Sequence, residues 1–416
     1  MKADREFTVI LDLGRELIRA GAEVWLVEQW LAKICAAYNF KTKDIQIVSD
    51  CIEATVQTHE GTVHTQIREV PSKNYDMERL KNLVELTQEV IKEAPEPEIV
   101  DEKLREILKR PGYSKLVMTL AGSLGAASFA MFFNGYRQDV ALVGLFVALL
   151  MFIKNHLSKA EDNPLILNTM LAYVTEVLII CAMMLGLGRS LSSMTAGLIM
   201  IMISGLGVTT GMRDLLHRNV LSGITDFVHS LLGAMGIAIG ISLALLTFGE
   251  GVLEHIQGQE IVLNQIVQMI GSIGGCIGCA ILYNCRGRIL LFTGIGAAMT
   301  RITYLLMISM APDQYFPATL VAACVLAFYA NVVAFFTKSP PTTFLTMCVY
   351  PLLPGNAFYL TVYAIIMNDH ASFQMNGRYV FLVCIAIALG YIIIEVLFKY
   401  TRVLKMLVRR LSKKYL

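Results

Sequence analysis

The runs Ser204-Gly205-Leu206-Gly207-Val208-Thr209-Thr210-Gly211 and Pro351-Leu352-Leu353-Pro354-Gly355-Asn356 each interrupt an otherwise apolar stretch. Inside hydrocarbon a helix satisfies its own backbone, so breakers at that depth call for a cavity or a protein partner. Their spacing adds a second signal. Ser204-Gly205 and Pro354-Gly355 stand 150 positions apart, and so do Phe133-Asn134 and Tyr283-Asn284, each of which closes an earlier apolar run. The chain reads as two copies of one pattern.

Working outward, apolar spans are expected at about 116–135, 140–156, 165–188, 194–212, 221–248, 261–284, 289–310, 316–336, 342–367 and 378–398. A crossing helix needs about 20 residues, because the hydrocarbon core is about 30 Å thick and each residue rises about 1.5 Å. The second span has the shortest apolar core, Val140 to Ile153. It counts as a crossing if Asp139 and Lys154 reach the interfaces at its ends. With the N-terminal region inside, eighteen Lys and Arg flank the inner ends of the spans, against Arg137, Arg189 and Arg378 at the outer ends. That asymmetry is the positive-inside pattern, and it puts both termini in the cytoplasm. Five crossings per copy would turn the second copy upside down relative to the first.

Composition agrees. Hydrophobic residues make up 55% and charged residues 16%, against about 45–50% and about 25% in soluble domains. The charge is concentrated near the front. Met1 to Asp12 carries Lys2, Asp4, Arg5, Glu6 and Asp12 and lacks the apolar core of a signal peptide, so the front region is expected in the cytoplasm. It reads as helices at 7–20 and 22–38, a hairpin or meander from Ile45 to Val70, a helix over 76–93 and an amphipathic stretch over 99–109. The expected fold is mostly α: a polytopic membrane protein with ten transmembrane helices as two inverted five-helix repeats, behind a small α+β cytoplasmic domain. The boundaries are 1–112 for that domain, 113–250 and 260–400 for the repeats, and 401–416 for a basic tail.

Chemistry in the front region is sparse. His59, Glu60 and His64 sit near one turn, and two histidines there read as solvated side chains rather than metal ligands. No phosphate loop, Gly-x-Ser-x-Gly or zinc-protease motif occurs, basic and acidic residues are mixed, and no cofactor, metal or nucleic acid is implied. Cys276-x-x-Cys279 lies in a Gly-rich run and reads as small-residue helix packing, like Gly236-x-x-x-Gly240.

Paired discontinuous helices in inverted repeats point to a substrate site near mid-membrane. The candidate substrate residues are Ser204, Gly205, Thr209 and Thr210 at the first break, and Pro354, Gly355, Asn356 and Tyr359 at the second. The repeated Asn134 and Asn284, and Arg301, join them. Ionisable groups within spans cost at least about 2.5–3.5 kcal/mol on insertion scales. Glu176 in the third span, and Asp226 and His229 three apart in the fifth, are therefore candidates for proton coupling. Arg213-Asp214 is a candidate gate at the inner mouth, where a local salt bridge is the other reading. Arg301 could hold a substrate carboxylate or neutralise Glu176, and structural contact between helices is the alternative for each of these groups.

At this point the chain resembles the threonine/serine exporter family in its fused, single-chain form. Leu17-Ile18-Arg19-Ala20-Gly21-Ala22-Glu23-Val24 with Val27-Glu28 looks like the family's opening helix. Gly211-Met212-Arg213-Asp214-Leu215-Leu216 with Leu221-Ser222-Gly223 is similar to its Arg-Asp and Ser-Gly element. Tyr350-Pro351-Leu352-Leu353-Pro354-Gly355 with Tyr359 and Tyr363 is similar to its second Pro-Gly element, while Ser204-Gly205 stands where relatives tend to carry Pro-Gly. The resemblance implies a proton-motive-force-linked exporter of threonine and serine in a bacterial inner membrane, or of succinate as in split relatives, and no enzyme. A channel, a membrane-embedded enzyme and a sensor acting through the front domain are the competing readings. The partners expected are a small-molecule substrate, protons and lipid, with homo-oligomerisation left open.

Overall fold

The computed structural model describes residues 2–48, 51–70, 75–157, 163–203, 211, 214–215, 219–249, 264–312, 314–337 and 339–414. The first break, Ser204 to Thr210 with Ser204, Gly205, Thr209 and Thr210, lies outside the described residues, as does Arg213.

The front unit packs four helices on one sheet: α1 (Lys2–Arg19), α2 (Val24–Ala37), α3 (Met77–Glu93) and α4 (Pro97–Lys109). The sheet is an antiparallel meander of β1 (Thr42–Val48), β2 (Cys51–Gln57) and β3 (Val63–Glu69), in that order. Strand β2 alternates as expected, burying Ile52, Ala54 and Val56. In β3 the period is two but the polar face is turned inward. Val63 and Ile67 are 58% and 59% exposed, while Gln66 donates to Asp4 at 3.0 Å and Arg68 pairs with Asp12 at 3.2 Å. The cause is α1, whose side towards β3 presents Asp4, Thr8 and Asp12.

Asp76 starts α3 by accepting from the Arg79 amide at 2.9 Å. Ala94, in the left-handed region at φ 42°, ends it just before Pro95 and Pro97. The core joins Phe7, Leu11 and Leu17 of α1 to Leu31 and Ile34 of α2 and Leu80 and Val90 of α3. Each such side chain contributes about 1.5–3 kcal/mol on burial.

The rest of the chain is a helical bundle. Among the described residues, seven helices are long and apolar enough to cross a membrane. They are α5 (Lys115–Phe132), α7 (Pro164–Met184), α9 (Val220–Phe248), α10 (Gln265–Leu282), α11 (Arg288–Met310), α12 (Tyr315–Thr337) and residues His370–Phe398 of α15 (His370–Lys414). The other expected spans depart from a plain crossing. Residues Arg137–Leu157 form a full-length helix, α6, with charges near both ends. Asp139 in its first turn is fully buried and accepts from the Tyr136 and Arg189 amides at 2.9 and 2.7 Å. In the fourth span the described residues form α8 (Leu191–Met202), which stops where Ile203 turns extended. The ninth splits into α13 (Pro341–Cys348), a 3₁₀ turn (Tyr350–Leu352) and α14 (Gly355–Ile366). The basic tail expected at 401–416 continues α15 as far as Lys414.

The 150-residue period is visible in the elements. Helices α5 and α10 start and end 150 residues apart, α8 and α13 start 150 apart, and so do α9 and α15. Asn134 and Asn284 follow α5 and α10 with φ 66° and 58°. Behind them Gly135 and Cys285 donate to Ala130 and Ala280, each at 2.8 Å, which makes the same helix-closing turn twice. The two helices pack antiparallel. At one end the Tyr113 amide donates to Asn284 at 3.0 Å, and at the other Gln268 donates to Asn134 at 2.8 Å. Their backbones touch through glycine: a Cβ on Gly278 would lie 2.7 Å from the Gly125 Cα.

Candidate functional site

The second break places a polar cluster among apolar helices. Proline cannot donate to a helix, and Pro351 and Pro354 bracket the point where α13 gives way to α14. Gly355 opens α14 against Met200 of α8 and Phe133; a Cβ there would meet them at 3.0 and 3.1 Å. The next residue, Asn356, accepts from Ser192 at 2.7 Å, joining the first turns of α14 and α8.

Glu176 on α7 is 0% exposed. Its Oε1 accepts from Thr195 of α8 at 2.7 Å, and its Oε2 is buried with no hydrogen-bond partner among the described residues. Tyr359 of α14, 2% exposed, lies within electrostatic range of Glu176. A buried carboxyl group with one oxygen unmatched is costly as a charge and cheaper as a neutral acid. It is a group that chemistry allows to pick up and release a proton.

A second polar run leads away from the break. Ser193 donates to the Phe133 carbonyl at 2.7 Å. Beside it Asn134 accepts from Gln268, and Gln268 accepts from Arg301 at 2.7 Å. The Arg301 guanidinium lies over Phe132 at 4.7 Å and near the Tyr304 ring at 5.5 Å. Arg301 is thus engaged by Gln268, and no ion pair joins it to Glu176 among the described residues, contrary to the neutralising role considered for it. Asn134 and Asn284 are also separated. They cap opposite ends of an antiparallel pair of 18-residue helices, which at 1.5 Å per residue is about 27 Å. One pocket cannot hold both.

A third cluster lies where the front unit meets the bundle. Asp214 is buried and accepts from the Trp25 amide at 3.3 Å. Glu28 accepts from Asn219 at 2.9 Å and from the Ile47 amide at 3.1 Å, and Ser222 donates to the Ile47 carbonyl at 3.4 Å. The opening-helix motif that ends at Val27-Glu28 and the Arg-Asp and Ser-Gly element therefore meet at one seam, through Trp25, Glu28, Asp214 and Ser222. Tyr75 sits there too: burial, then the nearby Asp226, push its hydroxyl pKa well up. Asp226 is buried and His229 is exposed, so the two point to different environments despite their helical spacing. On the other half, the Met77 amide donates to the Tyr283 carbonyl at 2.9 Å, and Asn284 donates to Asp76 at 3.1 Å.

Sequence reasoning did not single out Ser192, Thr195 and Gln268. Hydroxyls in apolar helices usually bond the preceding turn, so Thr195 carries little signal by itself. Its place in the polar run Ser190-to-Thr195, which recurs as Thr342, Thr343 and Thr346 in the second copy, was the available clue. Cys276 and Cys279 are buried free thiols on α10. No cluster able to hold a metal occurs among the described residues.

Known proteins give the same pattern a name. Residues 8–248 match the family model described as "Putative threonine/serine exporter", and residues 268–397 match a second, "Threonine/Serine exporter, ThrE". A Mycobacterium tuberculosis (strain ATCC 25618 / H37Rv) protein named "Probable threonine/serine exporter" is 22% identical over 336 residues, covering 78% of this chain and 63% of its own length. The chain thus spans less than two thirds of that relative. No solved structure matches. With seven apolar helices of crossing length among its described residues and family matches over 8–248 and 268–397, the chain is a multi-pass membrane protein of the threonine/serine exporter family.

Proposed function

We propose that this protein exports a small polar solute of the threonine or serine kind across the bacterial inner membrane, exchanging it for protons carried by Glu176. Family membership supports the transport class, and the observation that carries the mechanism is the fully buried Glu176 with an unmatched Oε2 beside the α14 break. Protonated, the group is tolerated in the closed bundle. Ionised, it needs water or a cationic partner, and the ammonium of an amino acid would supply one. Asn356, Tyr359 and Ser192 would line the same site through the freed first turn of α14. Arg301 offers a second recognition point, for a carboxylate. Asp214 and Asp226 act at the seam as a gate rather than in the binding pocket. A dicarboxylate such as succinate is the second substrate class to be tested against this reading.

The architecture proposed is ten crossings in two inverted repeats, 113–250 and 260–400, with residues 1–112 and the tail in the cytoplasm. The antiparallel α5–α10 pair and the 150-residue period support it, as does the separate family match of each half. Spans four and nine would then be discontinuous crossings. A channel would share this architecture, but a carboxylate sealed at 0% exposure favours a carrier cycle. The test is uptake of labelled threonine, serine and succinate into inside-out proteoliposomes under an imposed pH gradient. Glu176→Gln should abolish gradient-driven accumulation while leaving substrate exchange measurable. Full accumulation by this variant removes Glu176 from the mechanism; accumulation of none of the three solutes by the parent protein removes the substrate class.

A further inference from the structure

At the seam on the second copy's side lies a cavity of about 160 Å³, walled by both the front unit and the bundle. Three arginines from three elements converge on it: Arg79 in the first turn of α3, Arg110 at the end of α4, and Arg286 in the turn between α10 and α11. Asp76 and Glu78 are the acids in the wall. Asp76 caps α3 with one oxygen, and its other oxygen accepts from Asn284 at 3.1 Å and lies 4.0 Å from Arg79 Nε. Arg110 pairs with Glu106 at 3.0 Å on an exposed helix end. Arg286 is held face-on to the Tyr113 ring at 4.7 Å and donates Nη2 to the Pro111 carbonyl at 2.9 Å. Its Nε is buried, with no acceptor among the described residues.

A guanidinium held in place beside a cavity that two further guanidinium groups line is the arrangement that oxyanions fill by forked hydrogen bonds. We propose that this cavity binds a small oxyanion: a free phosphate or carboxylate, or the phosphate of a lipid headgroup. The bound anion would bridge Arg79 and Arg110 of the front unit to Arg286 of the bundle. Occupancy would then set how tightly the front unit is held against the second copy, with no change at the Glu176 site. Arginines serving only as inner-face anchors would show no saturable site.

The test uses the full-length protein in phosphatidylcholine nanodiscs, with thermal unfolding followed against phosphate and against succinate at constant ionic strength set by sodium chloride. The expected result is a saturable rise in midpoint for at least one of the two. In Arg79→Gln/Arg286→Gln its half-saturating concentration should move up at least tenfold. A response seen only when phosphatidylglycerol is in the disc, and lost in the same variant, identifies the occupant as a headgroup. If the double variant does not fold, Arg110→Gln carries the same expectation. The proposal is overturned by no saturable response to phosphate, succinate or anionic lipid in the parent protein. A response that the arginine variants keep also overturns it.

Discussion

Glu176 and Thr195 form a hydrogen bond that neither residue announces. The glutamate could be picked out of its span because a carboxylate there is expensive, but its partner is one hydroxyl among several in α8. Thr195→Val removes the only hydrogen bond the described residues give Glu176, and leaving such a group unmatched costs about 1–3 kcal/mol. The expected outcome is a lower thermal midpoint for Thr195→Val. In Glu176→Leu/Thr195→Val the loss should be smaller than the sum of the single changes, since the two share one interaction. Strict additivity in that cycle would show that the 2.7 Å contact does not couple them. Arg301 gives the opposite lesson. Its residue type left a substrate carboxylate, Glu176 and a structural contact between helices all open, and its neighbours are the neutral Gln268 and two aromatic rings.

At the scale of elements, glycine sets how closely helices approach. The Gly-rich run of α10 was readable as a packing surface, and it does press against α5, where Gly278 meets the backbone at Gly125. Gly278→Ala therefore has to push two helix backbones apart. We expect a loss of about 1–3 kcal/mol, the usual cost of overpacking. Gly144→Ala, whose nearest neighbour would be 3.4 Å away in the Ser123 side chain, should change the midpoint little. Comparable midpoints for the two variants would contradict the close α5–α10 contact.

The start of α15 depends on Asp369, which accepts from the Ala371 and Ser372 amides, each at 3.1 Å. Bonds from Ser372, first its hydroxyl and then its amide, hold the Asp369 carboxyl below the ordinary carboxylate range. A depressed pKa contributes stability above the unfolded value of about 3.9 and loses it as pH falls through the folded value. Protection factors at 370–373, taken against the intrinsic exchange rate at each pH, should therefore fall on acidification below about pH 4 in the parent. In Asp369→Ala they should already be low at neutral pH.

Across the whole molecule, the front unit touches both copies of the membrane pattern. It reaches the first through Trp25–Asp214 and Glu28–Asn219, and the second through Met77–Tyr283 and Asp76–Asn284. Glu28→Ala removes the bond from Asn219 across the seam and the bond from the Ile47 amide within the front unit, each of a type worth about 1.5–3 kcal/mol with a charged acceptor. Exchange protection in α2 and β1 should fall while protection in the α5–α10 pair is retained. Equal loss in both places would mean that the seam and the bundle open as one unit. Engineered single cysteines near the two chain ends test the larger geometry: labelling from the same side is the expected outcome, and opposite sides would break the inverted arrangement.

Apolar run length, the breakers and the 150-residue echo of Phe133-Asn134 in Tyr283-Asn284 were legible without coordinates, because lipid punishes unsatisfied backbone and period survives in composition. The elements of the front unit were legible too, since period two and period 3.6 are local properties of a chain. The partner of each polar group was not. Whether β3 turned its polar or its apolar face inward depended on α1, and whether Asn134 could share a pocket with Asn284 depended on α5 and α10 running in opposite directions. Hydrogen bonds form between groups that packing brings within about 3 Å of each other, and spacing along the chain carries no information about that distance.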